Sequence, residues 1–91
     1  MKKIKWETRR KNFWEYYISY GGVKVAGIVL FMGEYNWEIA VYPNLPSKNI
    51  YQKNIEVRFS LGYAQKAALD FFIDIMEPEY FKLKAIIEAV K

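Results

Sequence analysis

Phe13-Trp14-Glu15-Tyr16-Tyr17-Ile18-Ser19-Tyr20-Gly21-Gly22-Val23-Lys24-Val25-Ala26-Gly27-Ile28-Val29-Leu30-Phe31-Met32 is the stretch from which the fold follows. The two adjacent glycines at its centre supply the positive φ that both central residues of a type I′ turn require. The flanks are aromatic and β-branched, so the stretch reads as a β-hairpin. With Gly21 and Gly22 as the loop, Tyr20 faces Val23, Ile18 faces Val25, Tyr16 faces Gly27 and Trp14 faces Val29, all on one face. The Tyr16 ring is then expected to cover the bare backbone of Gly27. A bulge at Gly27 is the alternative.

Working outward, Met32-Gly33-Glu34-Tyr35-Asn36 reads as the next turn and sets Phe31 opposite Trp37, Val29 opposite Ile39 and Gly27 opposite Val41. Pro43-Asn44-Leu45-Pro46-Ser47-Lys48-Asn49 breaks the pattern. Ile55, Val57 and Phe59 then alternate with Glu56 and Arg58 as a half-buried strand, and Ile4 and Trp6 alternate with Lys3, Lys5 and Glu7 as a short leading strand.

From Ser60, a helix cap, the period becomes helical: Leu61, Ala64, Ala68, Phe71, Phe72 and Ile75 form one apolar stripe. Glu77-Pro78 is expected to end this helix and open a second one, with Tyr80, Leu83, Ile86, Ile87 and Val90 as its stripe. The expected architecture is α+β, a single domain over residues 1–91. An antiparallel meander of four or five strands (about 3–59) is followed by two C-terminal helices (about 61–76 and 78–90) in a two-layer sandwich.

This register leaves Phe13, Tyr17, Ile28, Leu30 and Tyr42 together on the second face of the sheet. Exposed antiparallel faces are mostly polar, so such a patch reads as a partner-binding surface; coverage by the second helix, or a face without a role, are the other readings. A second copy of the chain, as a homodimer, is one candidate occupant.

Charge adds a different signal. Lys2, Lys3, Lys5, Arg9, Arg10 and Lys11 stand against the single acid Glu7, so the first eleven residues carry a net +5 (6 minus 1) and the rest of the chain, with 8 basic and 9 acidic residues, is close to neutral. Cations beside aromatics suit nucleic acid, phosphates being neutralised and unpaired bases stacked. They equally suit an edge strand guarded against aggregation, or the rim of a protein interface.

The chain has no cysteine and no histidine. Disulfides, thiolate metal sites and histidine acid–base chemistry are therefore excluded. Glu38, Glu56, Asp70 and Asp74 are the carboxylates a metal-dependent nuclease would need, but each reads as an outward strand or helix position. Gly21-Gly22, Gly27 and Gly33 lack the Lys-Ser/Thr pair of a phosphate loop. No cofactor, metal or catalytic residue is expected. The start Met1-Lys2-Lys3-Ile4-Lys5 is followed by polar residues rather than an apolar signal segment, and Val25 to Met32 is too short to span a bilayer, so a cytoplasmic protein without a membrane partner is expected.

Trp37-Glu38-Ile39-Ala40-Val41-Tyr42-Pro43-Asn44-Leu45-Pro46, followed after a strand by Ser60-Leu61-Gly62-Tyr63-Ala64-Gln65-Lys66-Ala67-Ala68, resembles HicB-type antitoxins, which carry a strand, a Pro-Asp-Leu-Pro-like turn and a Ser-Leu-Glu-Glu-Ala helix. Gly62-Tyr63 stands here in place of Glu-Glu. The tryptophan-rich meander, the Ser-Leu-x-x-Ala helix start and the small size are also similar to short phage or mobile-element proteins that inhibit host defence, anti-CRISPR proteins among them. That resemblance implies a stoichiometric, non-enzymatic binding protein that blocks a host protein or nucleoprotein partner. Direct nucleic-acid binding through Lys2 to Lys11 is the alternative.

Overall fold

The computed structural model describes residues 5–46 and 49–90. Five strands follow one another across one antiparallel sheet: β1 (Glu7–Arg10), β2 (Phe13–Tyr20), β3 (Val23–Met32), β4 (Asn36–Tyr42) and β5 (Tyr51–Glu56). One helix, α1 (Leu61–Val90), completes the chain. The α+β meander is as expected, with β1 and β5 at the two edges.

The glycine hairpin closes as its sequence dictates, with φ of 59° at Gly21 and 79° at Gly22. Tyr20 pairs with Val23 and Ser19 with Lys24, but the next pair is Ile18 with Ala26. Val25 is thus an extra residue on β3, a bulge two positions from Gly27. Side chains alternate with period two, so one inserted residue turns the rest of β3 over. Tyr16 faces Ile28, Trp14 faces Leu30, and Tyr17 rather than Tyr16 faces Gly27.

The following loop is one residue tighter than expected: Met32 pairs with Trp37, Leu30 with Ile39 and Ile28 with Val41. The Gly33 N–H closes it by donating to the Asn36 carbonyl at 2.9 Å. The two displacements cancel, so β4 keeps the face its pattern assigned and only β3 is inverted.

The packing explains the inversion. The expected register would have put Gly27 under the helix, where it leaves a void, and the larger Ile28 and Leu30 outside. With the bulge, Ile28 and Leu30 are fully buried, and each such side chain contributes about 1.5–3 kcal/mol relative to exposure. Gly27 moves to the opposite face, where a Cβ would sit 2.3 Å from Tyr17 Cδ1.

The core joins Ile28, Leu30, Trp37, Ile39 and Val41 to Ala64 and Ala68 of α1, with Trp14 and Tyr16 packed against its edge. Trp14 and Trp37 lie 5.8 Å apart between ring centroids. The Trp37 Nε1–H donates to the Phe59 carbonyl at 2.9 Å, so the buried indole keeps its hydrogen bond. Val57 and Phe59 are therefore in the turn after β5, not in the strand itself. At the other end Trp6 precedes β1 and packs 6.4 Å from Tyr16, while Ile4 lies outside the described residues. The β1–β2 turn is Lys11-Asn12, and Asn12 adopts φ 61°, which asparagine tolerates better than most residues.

Ser60 caps α1: its Oγ accepts the Tyr63 N–H at 3.2 Å and its carbonyl the Ala64 N–H at 2.9 Å. Ala64 and Ala68 are fully buried, which brings the helix axis close to the sheet, and Leu61, Phe71, Phe72 and Ile75 pack beside them. The expected pair of helices is corrected here. A single helix runs through Pro78. Proline removes one hydrogen bond, to the carbonyl of Asp74, a residue on the exposed side of the helix. No packing on the far side rewards a turn back to the sheet: every residue from Glu77 to Val90 is exposed. The radius of gyration, 14.7 Å, accordingly exceeds the roughly 12 Å of a compact chain this long.

Candidate functional site

Because α1 packs on the face bearing Ile28 and Leu30, the opposite face of the sheet has no helix over it among the described residues. Strand pairing arranges it in three rows: Phe13, Phe31, Glu38 and Asn54; Glu15, Val29, Ala40 and Gln52; Tyr17, Gly27 and Tyr42. The β2–β4 side is aromatic and aliphatic. The β4–β5 side is a polar trough of about 510 Å³ lined by Val29, Phe31, Glu38, Ala40, Gln52 and Asn54 among others.

Within the rows the contacts are specific. Phe13 and Phe31 rings lie 6.4 Å apart, and the Arg10 guanidinium sits 4.9 Å from the Phe13 centroid. Tyr17 lies flat over Gly27, with Lys24 Nζ 4.3 Å from its ring centre. Glu15 is the one buried charged residue among the described residues, 4% exposed. Arg9 on β1 forms an ion pair with it, and its charge acts on the neighbouring Tyr17 phenol. Burial first, and then the negative charge of Glu15, hold the Tyr17 hydroxyl above its ordinary pKa. The same carboxylate, through its hydrogen bond and charge, raises the Arg9 guanidinium. A buried carboxylate needs such partners, since an unpaired one is costly.

The structure keeps three of the five expected contact residues on this face, Phe13, Tyr17 and Tyr42, all half-buried. It removes the other two. Ile28 and Leu30 are core residues at 0% exposure, carried inward by the bulge at Val25. Val29 and Phe31 take their places. The bulge has no local signature beyond the nearby Gly27, so their outward position was not legible from alternation. Of the expected cations, Lys5, Arg9, Arg10 and Lys11 are all exposed; Arg9 is ion-paired with Glu15 and Arg10 lies over the Phe13 ring. Lys2 and Lys3 lie outside the described residues.

The carboxylates weighed for metal chemistry do not converge. Glu38 faces Asn54, Glu56 faces Asn36, and Asp70 pairs with Lys66 at 3.0 Å along the helix. Among the described residues no group of three or more potential ligands stands together, and no helix is long and apolar enough to cross a membrane.

The fold and the open face thus define a small α+β domain that presents one side of a five-stranded sheet. Comparison with protein-family models, curated proteins and solved structures finds no match to this chain.

Proposed function

We propose that this chain is a non-enzymatic binding protein that acts by occupying the surface of a protein or nucleoprotein partner through the open face of its sheet. The observation that carries this reading is the pair of aromatic rows on that face, Phe13 with Phe31 and Tyr17 with Tyr42, separated by Val29 and the paired carboxylate of Glu15, left uncovered by α1 and edged by Arg10, Lys24 and the polar trough. Aromatic rings on a sheet face with cations at its border are the composition of a binding interface. The similarity to short phage-encoded inhibitors of host defence supports the same mode of action.

Two outer residues decide the test. Phe31→Glu and Phe13→Ser change this face without touching the buried row. A partner captured from a plausible host lysate is expected to be retained after nuclease treatment by the native protein and lost by both variants, each shown to be folded by its tryptophan spectrum. A partner held equally by native and variant chains would refute the sheet-face reading.

Nucleic acid is the second reading, favoured by exposed Lys5 and Lys11 beside the aromatic face. Its signature is steep: affinity for a generic single-stranded oligonucleotide must fall several orders of magnitude from low to physiological salt if many phosphates are gripped. The pairing of Arg9 with Glu15 reduces the charge available for that purpose.

A further inference from the structure

The second half of α1 carries an apolar stripe that the sheet does not use. Ile73, Met76, Tyr80, Leu83, Ile87 and Val90 recur at intervals of three and four residues, the a and d positions of a heptad repeat. Tyr80 is 60% exposed, Leu83 57% and Ile87 45%. At about 100° per residue, this stripe is centred roughly a quarter-turn away from the sheet-facing stripe of Ala64, Ala68 and Ile75. It already begins beside that contact, where Ile73 is exposed while Phe72 and Ile75 are half-buried. Apart from Met76, which is half-buried near Pro43 and Tyr51, the stripe is separate from the domain's own core seam, and it looks past the sheet.

We propose that its occupant is the same stripe of a second copy, in an antiparallel two-helix seam. Reversed about a two-fold axis, Tyr80 meets Leu83, Met76 meets Ile87 and Ile73 meets Val90, so each layer occurs twice, as an isologous contact requires. The flanking charges are self-complementary in the same alignment. Glu77 and Lys84 occupy the same flank, one heptad apart, and the reversal sets the Glu77 of each copy beside the Lys84 of the other. A parallel seam would extend the repeat back to Lys66 and set like charges at a core position. The antiparallel seam starts at Ile73 and avoids it. Its length is about 27 Å for eighteen helical residues.

The seam is independent of the sheet face and is tested without any partner. Light scattering and sedimentation on the full chain, from about 1 to about 500 μM, should show the mass rising from 10.9 kDa towards twice that value. Leu83→Glu, an exposed position whose change leaves the folded domain intact by circular dichroism, should weaken association at least tenfold. Glu77→Lys and Lys84→Glu should each weaken it severalfold, and the double exchange should restore it to near the native value.

A native chain that stays at 10.9 kDa throughout overturns the proposal and leaves the stripe to a foreign helix or a lipid surface. Association indifferent to Leu83→Glu overturns it as well. A double exchange that fails to restore overturns the antiparallel pairing, because in a parallel seam Lys84 would face Glu79 and Glu77→Lys could not compensate.

Discussion

Both halves of α1 carry an apolar stripe, and yet one is packed on the sheet and the other is bare. In residues 61–76 small alanines line the contact, so the helix axis comes down onto Ile28, Leu30 and Val41 and larger neighbours close around it. In residues 77–90 the stripe is built of Tyr80, Leu83 and Ile87, and no strand of the sheet lies beneath it. Amphipathic periodicity thus states which side of a helix is ready to be buried. What buries it is decided by where the rest of the chain runs.

The largest expected effect breaks the buried side of that comparison. Leu30→Ala deletes a fully buried side chain under the first half of the helix and should cost about 2–5 kcal/mol in denaturant unfolding. Were Leu30 on the outer face, as uninterrupted alternation along β3 predicts, the same change would cost almost nothing.

Pro78→Ala should act only on the exposed side. Restoring the missing hydrogen bond strengthens the local helix by up to about 3 kcal/mol, visible as slower amide exchange in residues 77–90. The global unfolding midpoint, set by the packed half and the sheet, should hardly move, since such segments open on their own. Equal shifts in both measurements would show that the two halves unfold as one unit.

A matched pair sharpens the contrast. Ala68→Leu forces extra volume between helix and sheet and should destabilise by about 1–3 kcal/mol. Ala85→Leu, on the exposed half and opposite the Leu83 stripe, should stay within about 0.5 kcal/mol.

The smallest effect concerns the open face. Tyr17 is held above its ordinary pKa by burial and by Glu15. The folded state keeps the phenolic proton to higher pH than the unfolded chain does, so this contribution to stability is intact below about pH 10 and declines as pH rises through the folded value. Tyr17→Phe should flatten that alkaline decline when thermal unfolding is followed from pH 9 to pH 11. An unchanged slope would mean that Tyr17 is solvated rather than held against Glu15.

Much of this was legible. Gly21-Gly22 specified a hairpin because adjacent positive φ values are costly for other residues. The alternations Trp14-Tyr16-Ile18 and Trp37-Ile39-Val41 assigned β2 and β4 their faces correctly, and Ser60 marked the helix start. In the open face, Phe13, Tyr17 and Tyr42 followed from the same alternation. β3 was not legible in this way. Val25, Ala26, Ile28, Val29, Leu30 and Phe31 are all apolar, so its pattern supports either face equally, and pairing alone had to choose. Pro78 misled for a related reason: it marks a helix start or a tolerated interior position according to whether anything waits to receive the chain beyond it.

By itself, then, the sequence determined the local elements: the glycine turn, the alternating strands on either side of β3, the capped helix and the cation-rich start. These depend on φ, on side-chain period and on capping, which are properties of neighbouring residues. The bulge at Val25, the burial of Ile28 and Leu30, the outward turn of Val29 and Phe31, and the unsupported end of α1 were decided by tertiary structure. Each depends on comparing the burial available in one whole arrangement of the chain with that in another, a quantity that no short stretch of residues contains.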